Sequence, residues 1–205
     1  MCEYKDLVED FDKDYEGTWA KYADEKIDWF KPYDKILDES NAPFYKWFSG
    51  GTMNVAHQCV DRHLDTKKNK AALIFEGDNG DQQILTYREL AYEVNKTANM
   101  FKNKFNVKKG DRVVVYMPMI PEAAVTMLAC AKIGAIHSII FGGFSPDSIA
   151  GRINDCQSDY IITADEGVRG GKIIPLKKIT DEALTQCPNI KKCVVVKRTG
   201  GEVNW

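Results

Sequence analysis

The stretch Val168-Arg169-Gly170-Gly171-Lys172 sets two cations on either side of a glycine pair. Glycine lets the backbone approach a ligand closely. Arg169 offers a planar fork suited to phosphate, and Lys172 a mobile point charge. Taken alone, the stretch reads either as an anion-binding loop or as a solvated turn, because the two share residue types. A second glycine-bearing stretch is Phe141-Gly142-Gly143-Phe144-Ser145. Neither fits a nucleotide fingerprint. In a Walker A alignment Glu166 takes the first glycine's place and Ile173 follows the lysine, so the hydroxyl that would hold Mg2+ is missing. The chain has no Gly-x-Gly-x-x-Gly either.

Other constellations carry less. His57, Cys59 and His63 have metal-ligand types, but one helix is expected over 54–64, and at these spacings they spread around it; no metal site is predicted. Asp165 and Glu166 could act as an acid–base pair, although adjacent residues point apart and turn roles suit them better. No serine sits in Gly-x-Ser-x-Gly. Asp61-Arg62 reads as a salt-bridged helix end, and Lys67-Lys68 and Lys177-Lys178 as solvated faces. No catalytic residue is assigned.

The elements that must position these residues follow from periodicity. Leu7, Phe11, Tyr15, Trp19 and Tyr22 recur at helical spacing, so a helix is predicted over 5–28, weakened by Gly17. Residues 28–51 are aromatic-rich and show little periodicity. They read as an irregular covering segment pinned by Trp29, Phe30, Phe44, Trp47 and Phe48. Two apolar runs flank Asp78-Asn79-Gly80, a hairpin signal, and Thr86-Tyr87-Arg88-Glu89 fits a capping box. Beyond it "DRVVVYMP", "AIHSIIF", "DYIITA" and "KKCVVV" read as strands that alternate with helices. Pro121 opens one helix, Gly134 caps it, and Ser145 caps the next. The pattern predicts an α/β fold with a doubly wound, mostly parallel sheet, preceded by the irregular aromatic segment. The expected division is 1–70 for the N-terminal helix and covering segment and 71–205 for the α/β part. In such sheets ligands bind beyond the strands' carboxyl ends, where both glycine stretches fall.

Composition narrows the classes. The 205 residues carry a formal net charge of −2, so no basic field argues for nucleic acid. The acidic start lacks an apolar signal core, and the most apolar window, 123–141, is broken by Lys132 and Gly134, so neither export nor a membrane span is expected. The six cysteines, Cys2, Cys59, Cys130, Cys156, Cys187 and Cys193, show no Cys-x-x-Cys. A reduced, cytoplasmic setting is expected.

Longer segments resemble a known family. "FGGFSPDSIAGRINDCQSDYIITADEGVRGGKIIPLK" closely resembles the acetyl-coenzyme A synthetases of the AMP-forming, adenylate-forming superfamily. "WFSGGTMNVAHQCVDRHL" is similar to that family's N-terminal signature, and "GDRVVVYMPMIPEAAVTMLACAKIGAIHSIIFGGFS" continues the match. The resemblance implies a ligase that activates acetate with ATP and Mg2+ to acetyl-AMP and pyrophosphate, and then passes the acetyl group to coenzyme A with release of AMP. It implies that Arg169, Gly170, Gly171 and Lys172 form the coenzyme A loop, with Phe141, Gly142 and Ile174 lining the nucleotide's surface site. Arginine is common where Lys172 stands; lysine keeps the charge and loses the fork. Propionyl- and acetoacetyl-CoA synthetases share the "RGGK" region, while "SPDSIAGRI" and "IPLKK" look more like the acetyl enzymes. A non-catalytic α/β nucleotide-binding module is the reading from another class.

The family's ATP loop, Ser-Gly-Ser/Thr-Thr-Gly-x-Pro-Lys, is absent from this sequence. An N-terminal piece of a longer enzyme is therefore expected, inactive alone and partnered by the rest of the chain or by a second copy across an open sheet edge.

Overall fold

The computed structural model describes residues 4–205; Cys2 and the opening residues of the acidic N-terminus lie outside the described residues. The chain divides into two compact units, one ending at Gln58 and one beginning at Cys59.

In the first unit two helices, α1 (Tyr4–Lys13) and α2 (Tyr15–Lys26), replace the single helix expected over 5–28. The break is Asp14, whose backbone leaves the helical region at φ −150° and ψ 88°. Its carboxylate accepts the Gly17 N–H at 2.9 Å and caps α2. Gly17 is thus a capping requirement rather than a flaw, since a Cβ there would collide with that carboxylate. The covering segment is largely irregular but contains one antiparallel hairpin, β1 (Lys35–Asp38) with β2 (Lys46–Ser49). Ring contacts hold the unit together: Phe11 meets Trp19 edge-on at 5.2 Å, Trp19 meets Trp47 at 6.0 Å, and Trp29 lies against Phe48 at 5.7 Å. Phe44, expected as a pin, is 73% exposed.

The helix expected over 54–64 is also interrupted. α3 (Val55–Cys59) stops where Val60 takes φ −128° and ψ −65°; a 3-10 turn at Asp61–His63 and the short α4 (Leu64–Lys67) follow. The second unit then forms the hairpin β3 (Ala71–Glu76) and β4 (Gln82–Thr86), with Gly80 at φ +83° in its turn. α5 (Tyr87–Lys104) starts on the expected Thr86–Glu89 capping box.

From there strand and helix alternate: β5 (Arg112–Tyr116), α6 (Pro121–Ile133), β6 (Ile136–Ile140), α7 (Pro146–Cys156) and β7 (Tyr160–Ala164). The small hairpin β8 (Gly167–Arg169) with β9 (Lys172–Ile174) follows, then α8 (Leu176–Leu184) and β10 (Lys192–Val196). The main sheet has the order β10-β7-β5-β6, and every pairing in it is parallel.

Alternation along β5 builds a core on each face. Val113, Val115 and Met117 pack with Ala98 and Phe101 of α5 and Ala129 and Cys130 of α6. Val114 and Tyr116 pack with Ile149 and Ile153 of α7 and Leu176 and Ala183 of α8. Helices cover both faces, so the sheet is doubly wound as expected. Burial pushes the Cys130 thiol up to about 12 and the Cys193 thiol to about 11, consistent with cysteines used as small hydrophobes.

One expectation fails on the α8 side. Lys177, assigned to a solvated face, is buried; its Nζ meets the Asp181 carboxylate at 2.5 Å and donates to the Asn204 carbonyl at 2.8 Å.

Candidate functional site

The chain leaves β5 toward one edge of the sheet and β7 toward the other. The direction reverses between these two strands, and the crevice outside their carboxyl ends is where such folds bind ligands. A cleft of about 680 Å3 lies there. Met117 and Pro118 after β5, Ile140 at the end of β6 with Phe141, Gly142 and Phe144 after it, and Gly167 to Arg169 of β8 form much of its wall. A hollow of about 700 Å3 over α5 and α6 contains none of the candidate ligand-binding residues named from sequence.

The floor is fixed by buried polar groups. Asp165, directly after β7, is 2% exposed. Its carboxylate accepts the backbone N–H groups of Glu166 and Arg198 at 2.7 Å each, Gly200 at 2.8 Å and Thr199 at 3.3 Å. This ties the exits of β7 and β10 together. Burial works against the charged form of Asp165, yet those four amides hold its carboxyl below the usual carboxylate range. Asp165 and Glu166 are therefore no acid–base pair: one is locked into backbone, and the other accepts the Thr199 hydroxyl at 2.5 Å. After β6, the Tyr116 hydroxyl donates toward the Gly142 carbonyl at 3.3 Å and the Phe144 carbonyl at 3.4 Å, pinning the glycine turn from beneath.

The stretch from Asp165 to Pro175 is a hairpin, not the simple strand-to-helix turn its composition suggests. Arg169 and Lys172 are directly paired across β8 and β9, and Gly170 (φ +57°) and Gly171 (φ +72°) make the two-residue turn between them. Positive φ at both central residues is the type I′ geometry, which glycine adopts without strain. Two cations are thereby held opposite one another, an arrangement that repels unless an anion lies between or beside them. The Gly170 N–H donates to the Asp78 carboxylate at 2.6 Å, joining the turn to the β3–β4 hairpin.

Arg169 lies over the Phe141 ring, its guanidinium carbon 4.9 Å from the centroid. Of the sequence-predicted residues, Arg169, Phe141, Gly142 and Ile174 line the cleft together. Gly170, Gly171 and Lys172 do not line it; they form the exposed turn of the hairpin that Arg169 ends. Sequence reasoning missed Arg152, Phe144, Arg198 and Asp78, all of which also line the cleft. Arg152 stands one residue before the apolar Ile153 of α7, a helix read only for its Ser145 cap. Asp78 was read only as a hairpin turn.

Of the other clusters, Asp61 pairs with Lys132 of α6 at 2.8 Å. No group of three or more His, Cys, Asp or Glu side chains converges as metal ligands among the described residues. No helix among them is long and apolar enough to cross a membrane.

Comparison with known proteins agrees with this architecture. The sequence profile described as "AMP-binding enzyme" matches residues 60–204, and the one described as "Acetyl-coenzyme A synthetase N-terminus" matches residues 4–59. An acetyl-coenzyme A synthetase of Wolinella succinogenes is 61% identical over 207 aligned positions, covering 100% of this chain and 32% of the relative. The Helicobacter pylori protein of that name is 56% identical, covering 100% of this chain and 31% of its own length. The chain thus spans about a third of the length of the curated relatives it matches. Among solved structures, an acetoacetyl-CoA synthetase from Streptomyces lividans superposes with a TM-score of 0.89 over 98% of this chain and 31% of its own. At 24% identity that likeness speaks for the fold alone. With the family profile running through nearly all of the second unit, the chain belongs to the AMP-binding enzymes.

Proposed function

We propose that this chain is the N-terminal part of an AMP-forming acetate–CoA ligase, and that its cleft holds the nucleotide end of coenzyme A. The reaction would convert acetate and ATP to acetyl-AMP and pyrophosphate, after which the coenzyme A thiol displaces AMP to give acetyl-CoA. The observation that carries the reading is the hairpin. Arg169 and Lys172 face each other across two positive-φ glycines. A phosphate beside the pair relieves their repulsion, and the Phe141 ring under the guanidinium helps hold it beside the cleft. Phe141, Gly142 and Ile174 offer the adjoining surface for the nucleoside.

The residues in hand bind and orient; none supplies a group for acetate activation. Mg2+ is expected for the ATP half-reaction, and no step assigned here runs through a metal. The names of relatives 56–61% identical favour acetate over longer acids. Beyond the small molecules, the expected partner is the remainder of the enzyme. A second copy could also add at β6, an edge strand that exposes Ile136 and Ile139.

Titration calorimetry with coenzyme A tests the proposal. The expected dissociation constant is ~1 mM or weaker, about −4 kcal/mol. Arg169→Ala removes a charge-assisted contact and is expected to weaken binding at least tenfold, to below detection. Equal heats for the two proteins would rule out the assigned loop.

A further inference from the structure

The β8–β9 turn already has an anion beside it. In a two-residue turn the ladder bonds are made by the flanking residues, here Arg169 and Lys172, and the N–H groups of the two central glycines are left outside the ladder. Successive backbone N–H groups in a turn suit an anion. One of them is taken: the Asp78 carboxylate accepts the Gly170 N–H at 2.6 Å.

Asp78 is delivered by a turn that is built without help from Gly170. The Gly77 N–H donates to the Asp81 carbonyl and the Gly80 N–H to the Gly77 carbonyl, both at 2.8 Å. The Asn79 amide donates to the Asp81 carboxylate at 2.9 Å. Arg198, over the Phe75 ring, pairs with Asp81 at 2.5 Å and donates to Asn79 at 3.2 Å. The charge of Asp81 is therefore met by Arg198. Among the described residues no ion pair engages Asp78, Arg169 or Lys172. All three are exposed, as is Gly170. Water competes for an exposed bond of this kind, so the carboxylate is easily displaced. While it is in place, it blocks one backbone donor and repels a second anion.

We propose that Asp78 is an internal competitor for the phosphate: its carboxylate occupies the turn's backbone donor in the free chain, and a phosphate reaches that donor only by pushing Asp78 aside. The β3–β4 hairpin thereby sets how strong an anion must be to enter. A phosphate monoester, with a charge of about −1.5 to −2 and three acceptor oxygens, displaces a single carboxylate; a singly charged diester does not. This rests on the coenzyme A reading above for the phosphate. It gives Asp78 a role that reading lacks, that of lowering affinity while selecting for the doubly charged group.

Amide NMR on the nitrogen-labelled 205-residue chain tests this, because it reads the Gly170 N–H directly and the remaining peaks certify the fold. The probes are inorganic phosphate, dimethyl phosphate and coenzyme A. In wild type the Gly170 peak should move with phosphate and coenzyme A but not with the diester. Asp78→Ala should bind phosphate and coenzyme A about three- to tenfold more tightly and should now respond to the diester. Asp78→Asn keeps an acceptor and loses the charge, and should fall between the two. Glu76→Gln removes another cleft carboxylate, two residues earlier in β3, and should match wild type. If Arg169→Ala weakens coenzyme A while Asp78→Ala binds no more tightly than wild type, the competitor is refuted and the coenzyme A loop stands. If Glu76→Gln tightens binding as much as Asp78→Ala, the effect is general charge and the proposal is overturned as well. If Arg169→Ala has no effect, or no probe moves Gly170 in any protein, the loop assignment fails and this proposal with it.

Discussion

At the scale of single residues, Asp165 shows how a cleft can depend on a group that does not line it. A buried carboxylate is unfavourable unless it is fully hydrogen-bonded, and this one is met by four amides from two different strand exits. Its carboxyl is held below the usual range. A depressed folded-state value adds stability that is complete above the unfolded value, near pH 4, and disappears as pH falls through the folded value. Urea denaturation between pH 7 and pH 3 should therefore show an acid loss of stability that is smaller in Asp165→Asn, because the amide has no such proton to take up, while Asp38, Asp81 and Glu89, also held low, keep their share. Asp165→Ala would strand the four amides and should cost about 4 kcal/mol or more, since each orphaned donor costs roughly 1–3. An Asp165→Asn protein with an acid limb as steep as wild type would show that other carboxylates set it.

At the scale of elements, the decisive piece is the hairpin β8–β9, with three residues in each strand. Its strands are too short to hold register by themselves, so the turn must do it. Gly170 and Gly171 both lie in the left-handed region, where a side chain costs about 1 kcal/mol or more. The double change Gly170→Ala with Gly171→Ala should splay the pair and weaken coenzyme A binding as much as removing Arg169, with both cations still present. Asparagine at either position tolerates the same backbone and should restore most of the affinity. If the alanine pair binds like wild type, the turn geometry is irrelevant to the site. The hairpin also marks where sequence reading stops. The four main strands, the Thr86 capping box, the Ser145 cap and the Gly134 terminus are all legible, because each rests on a local pattern of a dozen residues or fewer. The "VRGGK" cations were legible as a possible anion site for the same reason. The Asp78–Gly170 bond spans 92 residues, and Arg152, inside α7, reaches back toward the helix start to meet Phe144, a pairing no short motif marks. Lys177 was misread because its partner carbonyl, Asn204, lies 27 residues on. The breaks at Asp14 and Val60 were missed since apolar spacing continues through both.

At the scale of the molecule, the chain carries a cleft on a doubly wound scaffold, but it covers about a third of its relatives' length. Acetate activation needs two anions, the carboxylate and the triphosphate, brought together against their repulsion. That requires donors aligned on the charge developing at phosphorus, in a site closed to water. The cations of this chain stand instead beside an open aromatic wall, and the described residues offer no phosphate loop of the serine- and glycine-rich kind. Binding and chemistry should therefore separate. The 205-residue chain should bind coenzyme A weakly and catalyse no acetate-dependent exchange between pyrophosphate and ATP. The same assay on a chain extended to the length of its relatives should show exchange, and Arg169→Ala in that longer chain should leave the exchange rate within about twofold of wild type. If the arginine serves the second half-reaction, as we propose, its loss should instead raise the KM for coenzyme A in acetyl-CoA formation, by the tenfold or more expected for a charge-assisted contact. Exchange by the short chain alone would mean that its residues adenylate acetate. Exchange lost in the extended Arg169→Ala protein would place that arginine at the ATP site and remove coenzyme A from the cleft.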